Sequence, residues 1–179
     1  IAARGLPLDA HALASQGVIL QMFAHGIAAA GLFYLVGRLE SRTGTCGLND
    51  FGGLSAVTPG LAAAFYILVF CSLGLPFLAG FAAEFLIFSG SFAVAPGVTA
   101  AATLGLLATA VFMLTMLQRI FTGAPSKPCQ AMRDLTFNEA LVVIPIIFFV
   151  LWAGVAPGHW LIWSDNLGLT LQLTQGATP

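Results

Sequence analysis

Cys71-Ser72-Leu73-Gly74-Leu75-Pro76-Phe77-Leu78-Ala79-Gly80-Phe81-Ala82-Ala83-Glu84-Phe85 sets one carboxylate, Glu84, inside a run that carries no other charge. The nearest charged residues are Asp50 upstream and Arg119 downstream. A lipid-facing charge costs about 2.5–3.5 kcal/mol on insertion scales, so intramembrane ionisable groups usually face protein or a water-filled path. The same stretch holds Gly74, Pro76 and Gly80, and proline both removes a backbone donor and clashes with the preceding turn. The stretch therefore predicts a helix broken at 74–80, with an acid just beyond the break.

The surrounding composition fixes the solvent. The chain has 179 residues, of which 59% are hydrophobic and 7% charged, with a mean hydropathy of +0.96. Soluble domains carry about 25% charged residues, so this is an all-α, polytopic membrane helix bundle. Its net charge of −1 supplies no basic surface for nucleic acid, and the useful charge signal is local placement. Residue 1 is isoleucine and no basic segment with a cleavage site precedes the first apolar run, so a signal peptide is not expected and the chain reads as a C-terminal piece. Cys46, Cys71 and Cys129 lack metal-ligand spacing and are expected to be free thiols.

Taken in order, residues 1–12, with Arg4, Gly5, Pro7, Asp9 and His11, read as a loop, and a first span runs from about 13 to 37 with His25 at its midpoint. Arg38 to Gly53 reads as an extramembrane loop. The apolar region 58–94 is too long for one straight span and too short for two, since a crossing needs about 20 residues. Flanking charge decides: Arg38 and Arg42 precede the region, while Arg119, Lys127 and Arg133 follow the next span. If both basic loops face the cytoplasm, 58–94 crosses once as a discontinuous helix and 98–121 crosses once. Thr136-Phe137-Asn138-Glu139 fits a capping box opening a last span, 137–156, that contains Pro145 and ends near Trp152, Trp160 and Trp163. About four spans in a single membrane domain, 1–179, result.

No nucleotide loop, metal-ligand cluster or Ser/His/Asp arrangement is present, so chemistry rests on ionisable groups at membrane depth. There are two, Glu84 and His25. A carboxyl whose proton affinity responds to desolvation, cations and water can carry a proton; the competing reading is a structural carboxyl bonded to backbone at the break. Histidine titrates near neutrality and can relay protons to a carboxylate through water, or it can be a packed side chain. Gln21, one turn before His25, could hold such water or serve as packing glue. Arg38, Arg42 and Arg119 are most simply topology anchors.

Gln21-Met22-Phe23-Ala24-His25-Gly26-Ile27, Gly52-Gly53-Leu54, Gly74-Leu75-Pro76 with Gly80-Phe81 and Glu84-Phe85, then Met116-Leu117-Gln118-Arg119 and Asp134-Leu135 with Glu139, resemble the C-terminal third of the M-type antiporter-like subunits of respiratory complex I. That resemblance spans roughly residues 16–158. It implies a proton-pumping subunit of a bacterial inner-membrane NADH:quinone oxidoreductase, with this chain supplying its last four helices. It further implies that Glu84 is the terminal proton carrier on a discontinuous helix and His25 the mid-membrane histidine before it. NAD, FMN, iron–sulfur clusters and quinone would belong to partner subunits, with no cofactor or metal in this chain; the partners would be other membrane-arm subunits, the bilayer and protons. Sister pumps usually carry lysine where this chain has Glu84, whereas Ala83 and Asn138 depart from the family's usual glycine and arginine. The rivals are a subunit of a multi-subunit Na+/H+ antiporter or membrane-bound hydrogenase, and a structural membrane spacer.

Overall fold

The computed structural model describes residues 6–162. Arg4, Trp163 and the polar tail from Ser164 lie outside them. The helices α1 (Leu6–Thr43), α2 (Leu54–Val57), α3 (Pro59–Ser72), α4 (Ala79–Val94), α5 (Pro96–Phe121) and α6 (Phe137–Val155) follow one another, and residues 158–162 are helical again. A 3-10 turn over Leu48–Asp50 lies in the loop between α1 and α2. Three helices, α1, α5 and α6, are individually long and apolar enough to cross a membrane.

Two boundaries differ from the sequence reading. α1 begins at Leu6 rather than after residue 12, because Pro7 falls in the first turn, where a helix N–H has no intrahelical partner to lose. It also continues past Arg38 to Thr43, so Arg38, Glu40 and Arg42 are helical and the loop starts only at Gly44. Gly44 ends the helix with φ +73°, its N–H bonded to the Glu40 carbonyl at 2.8 Å, the left-handed stop that glycine adopts without a Cβ penalty.

The order of contacts along α1 gives the direction of α3 and α4. Gly31 of α1 meets Leu68 of α3; Gly17 meets Ala83 and Ile87 of α4; Ala10 and Ala14 meet Gly90. As numbers rise through α3 and α4 they fall along α1, so both helices run antiparallel to α1 and head to tail with each other. Small residues permit this approach. A Cβ on Gly17 would stand 2.7 Å from the Ile87 nitrogen, and one on Gly90 would stand 2.5 Å from the Ala10 carbonyl, so the backbones touch as membrane helices do at small-residue interfaces.

α5 then returns. Its last residue, Phe121, packs its ring on Phe65 and Tyr66 at the middle of α3, with centroids 5.2 Å apart in each case. Thr122 accepts a bond from the Gly53 N–H at 3.0 Å. α6 runs parallel to α3: its first turn meets the C-terminal end of α1, and Gly154, near its last turn, lies against Phe77 and Leu78 of the break. Leu35, Leu61, Leu68, Phe65, Val143 and Val150 are buried where α1, α3 and α6 meet. Pro145 lies within α6 without ending it.

Candidate functional site

The break occupies residues 73–78, between Ser72 and Ala79. α3 closes with Gly74 at φ +65°. The Gly74 N–H bonds the Cys71 carbonyl at 3.2 Å and the Leu75 N–H bonds Phe70 at 3.0 Å, the paired reverse bonds of a Schellman termination. Pro76 and Phe77 then turn the chain, with the Leu78 N–H on the Leu75 carbonyl at 3.2 Å. Phe77 has φ +72°. Proline followed by a residue of positive φ is the type II turn pattern, and a phenylalanine there holds a conformation that normally falls to glycine, a strain of about 1–3 kcal/mol.

Gly74 and Pro76 thus lie in the break, as the sequence implies. Gly80 does not: it belongs to the first turn of α4, where its missing Cβ lets the chain pass over Cys71, whose carbonyl carbon would stand 3.1 Å from such a Cβ. The buried Cys71 side chain lies at the same place, its sulfur 3.7 Å from such a Cβ. Cys71 is a free thiol, as expected, and its burial depends on the chain folding back after the turn.

Glu84 follows one and a half turns into α4. It is half-buried, and its carboxylate lies over Gly74: a Cβ there would stand 2.0 Å from Oε2. Among the described residues it makes no ion pair; the ion pairs present join Arg38 and Arg42 to Glu139. The Gly74, Leu75 and Leu78 N–H groups are taken by backbone carbonyls. The Glu84 carboxylate takes part in none of these bonds.

His25 is placed differently. The buried face of α1 runs through Ala24, Ala28 and Leu35, and His25 is exposed at its edge. It stands eight residues, roughly 12 Å, along the helix from Gly17, the residue that packs beside Ala83. No contact joins His25 to Glu84 among the described residues. Gln21 lies between these levels, half-buried, with Oε1 fully covered and unpaired. A covered acceptor of this kind is satisfied by a water molecule where space allows.

Two further acids hold the opposite end. Glu139, buried, completes the expected capping box: it accepts the Thr136 N–H at 2.8 Å while Thr136 accepts the N–H of residue 139. It also pairs with the Arg38 guanidinium and with Arg42 at 2.5 Å, tying α6 to α1, so these arginines are more than topology anchors. Asp134 accepts the N–H groups of Gly60, Leu61 and Leu135, each at 2.8 Å, and so caps α3 from the loop before α6. Burial pushes its carboxyl up, but these three donors and the nearby Arg42 charge outweigh that and hold it below the usual carboxylate range.

The sequence profile described as NADH:quinone oxidoreductase/Mrp antiporter, TM matches residues 5–112. NADH-quinone oxidoreductase subunit M of Pseudomonas aeruginosa is 38% identical over 145 residues, covering 81% of this chain and 28% of that protein. Subunit M of Escherichia coli K12 is 34% identical over 147 residues, covering 81% of this chain and 29% of that protein. Respiratory complex I from Thermus thermophilus with bound NADH contains a chain that superposes with a TM-score of 0.76 at 33% identity, covering 87% of this chain and 33% of that one. The Mrp complex from Dietzia sp. shares the fold, with a TM-score of 0.74 at 20% identity over 83% of this chain and 36% of that one. The chain spans less than a third of the curated relatives it matches. With residues 5–112 covered by one profile, this all-α membrane chain belongs to the NADH:quinone oxidoreductase/Mrp antiporter transmembrane family.

Proposed function

We propose that the chain is the C-terminal part of an M-type subunit in the membrane arm of a bacterial inner-membrane NADH:quinone oxidoreductase, and that Glu84 is the terminal proton carrier of its translocation path. The supporting observation is the Glu84 carboxylate beside Gly74, half-buried and unused by the hydrogen bonds that close the break. A carboxylate free of structural duty can change protonation without unfolding the segment that carries it. In this reading α3 and α4 form one discontinuous crossing, which with α1, α5 and α6 makes four.

His25 acts upstream. Its distance from Glu84 along α1 requires water between them, and the covered Gln21 Oε1 supplies an acceptor on that route. Redox energy released in partner subunits, which hold NAD, FMN, iron–sulfur clusters and quinone, would shift charge along the membrane arm and drive Glu84 to take up or release its proton. This chain contributes the side chains of the exit end, and other membrane-arm subunits contact its outer faces.

Proton pumping in membrane vesicles carrying the full complex with Glu84→Gln tests the role. Loss of pumping with intact assembly is the expected result; unchanged pumping sinks the proposal and leaves a spacer. A Na+/H+ antiporter subunit is the rival that shares this fold, and co-purification separates the two, since the present reading requires NADH- and quinone-reactive subunits in the same complex.

A further inference from the structure

Three arginines converge where α1 and α6 meet the surface. Arg38, Arg42 and Arg133 line a cavity of about 360 Å³ whose remaining wall is Pro128, Ala131, Met132 and Thr136. All three come from a helix end or from the loop before α6, so the cavity lies at the level where spans leave the apolar phase. Two carboxylates stand near them. Glu139 takes one bond from the Arg38 Nε and one from Arg42, and Asp134 is occupied by backbone N–H groups beside Arg42. Positive charge is left over, and so are donors. The terminal nitrogens of Arg38 have no acceptor among the described residues, and neither has the exposed Arg133 side chain.

The cavity is also built to present them. Arg42 donates through Nη1 to the Arg133 carbonyl at 2.7 Å, which fixes the backbone that carries the third guanidinium. Arginine forks match phosphate oxygens in planar, bidentate fashion, and basic pockets between spans are the usual seat of anionic lipid headgroups. Beside this end, Phe137, Leu141 and Ile144 recur along one face of α6 and are exposed, as a surface against acyl chains would be. We propose that this cavity binds the phosphodiester headgroup of an anionic phospholipid, with Arg133 and Arg38 as its donors and Arg42 as the residue that positions Arg133.

The test uses the full-length subunit in its assembled complex, in membranes doped with a photoactivatable phosphatidylglycerol or the matching phosphatidylcholine. Crosslinks within residues 128–136 should form with phosphatidylglycerol in preference to phosphatidylcholine. Arg133→Gln, which removes no bond that holds the fold, should lower them about fivefold, the contribution of one basic side chain near an anionic surface; Arg133→Lys, which keeps the charge but not the fork, should lower them less. Equal labelling by the two lipids, or labelling unmoved by Arg133→Gln, overturns the proposal. Inorganic phosphate is the control: displacement by it at millimolar concentration would assign the cavity to free phosphate and overturn the lipid.

Discussion

The carboxylate of Glu84 rests over the α-carbon of Gly74, so that a methyl group added to the glycine would stand 2.0 Å from Oε2. One residue ends α3 in the left-handed conformation, and the other projects back across the break from α4. The termination and the acid form one unit, and Gly74→Ala attacks both halves: left-handed alanine costs about 1–2 kcal/mol, and the carboxylate must move. Proton pumping by the assembled complex should fall, as is expected for Glu84→Gln. Normal pumping with alanine at 74 would show that the acid does not work from this position.

Gly154 stands where α6 passes the turn. A Cβ there would meet the Leu78 carbonyl carbon at 2.3 Å and the Phe77 oxygen at 2.4 Å, both backbone atoms of the strained segment. Gly154→Val should therefore push α6 off the break and reduce the amount of assembled complex in membranes. Gly158, with nothing within 4 Å of its Cβ position, is the matched control, and Gly158→Val should assemble normally.

Arg42 and Glu139 are both largely covered, with 14% and 5% of their side chains exposed. Removing one partner of a buried pair costs about 3–5 kcal/mol when the other charge is stranded; Glu139 would keep Arg38 and the Thr136 N–H, so the cost here falls below that range. Arg42→Ala, which also removes the bond to the Arg133 carbonyl, should lower the thermal dissociation midpoint of the complex. Arg38, at 40% exposure, should matter less on its own, since a more solvated pair contributes about 0–1 kcal/mol. Arg42→Ala combined with Glu139→Gln should be milder than the sum of the two.

How much of this was legible in the sequence follows from the range of each interaction. The capping box at Thr136 and Glu139 is local, and four residues announce it. The break follows from Gly74 and Pro76, although its limits, 73–78, leave Gly80 in the helix because a glycine at a helix start also serves close packing. The Arg38 and Arg42 bonds to Glu139 span about a hundred positions and leave no periodic trace. Asp134 as the cap of α3 is equally non-local. Glu84 was visible as a charge in apolar surroundings, whereas the exposed setting of His25 depends on which face of α1 its neighbours cover.

Asp134 gives the fold a specific response to acid. Its carboxyl is held below its ordinary value of 3.8, so the bonds it makes stabilise the protein above that value and weaken as pH falls through the lower folded value. Asp134→Asn should reduce the thermal midpoint at neutral pH. The gap between variant and wild type should close as pH drops below 3.8. A gap of constant size across that range would mean that the charge of Asp134 is not what caps α3.

The head-to-tail course of α3 and α4 carries the most consequence, since it decides whether Glu84 lies in the middle of one crossing or near the end of a short one. Cys46 is exposed in the loop before α2, whereas Cys71 and Cys129 are buried, and Gly97, at the turn into α5, has nothing within 4 Å of its Cβ position. A membrane-impermeant maleimide can therefore report on both ends of the region in a full-length subunit whose other cysteines are replaced. With a single discontinuous crossing, Cys46 should be labelled in everted vesicles, whose cytoplasmic face points outward, and a Gly97→Cys variant only in intact spheroplasts. Labelling of both from the same side would require α3 and α4 to cross separately, and would move Glu84 out of the position from which a terminal proton carrier could act.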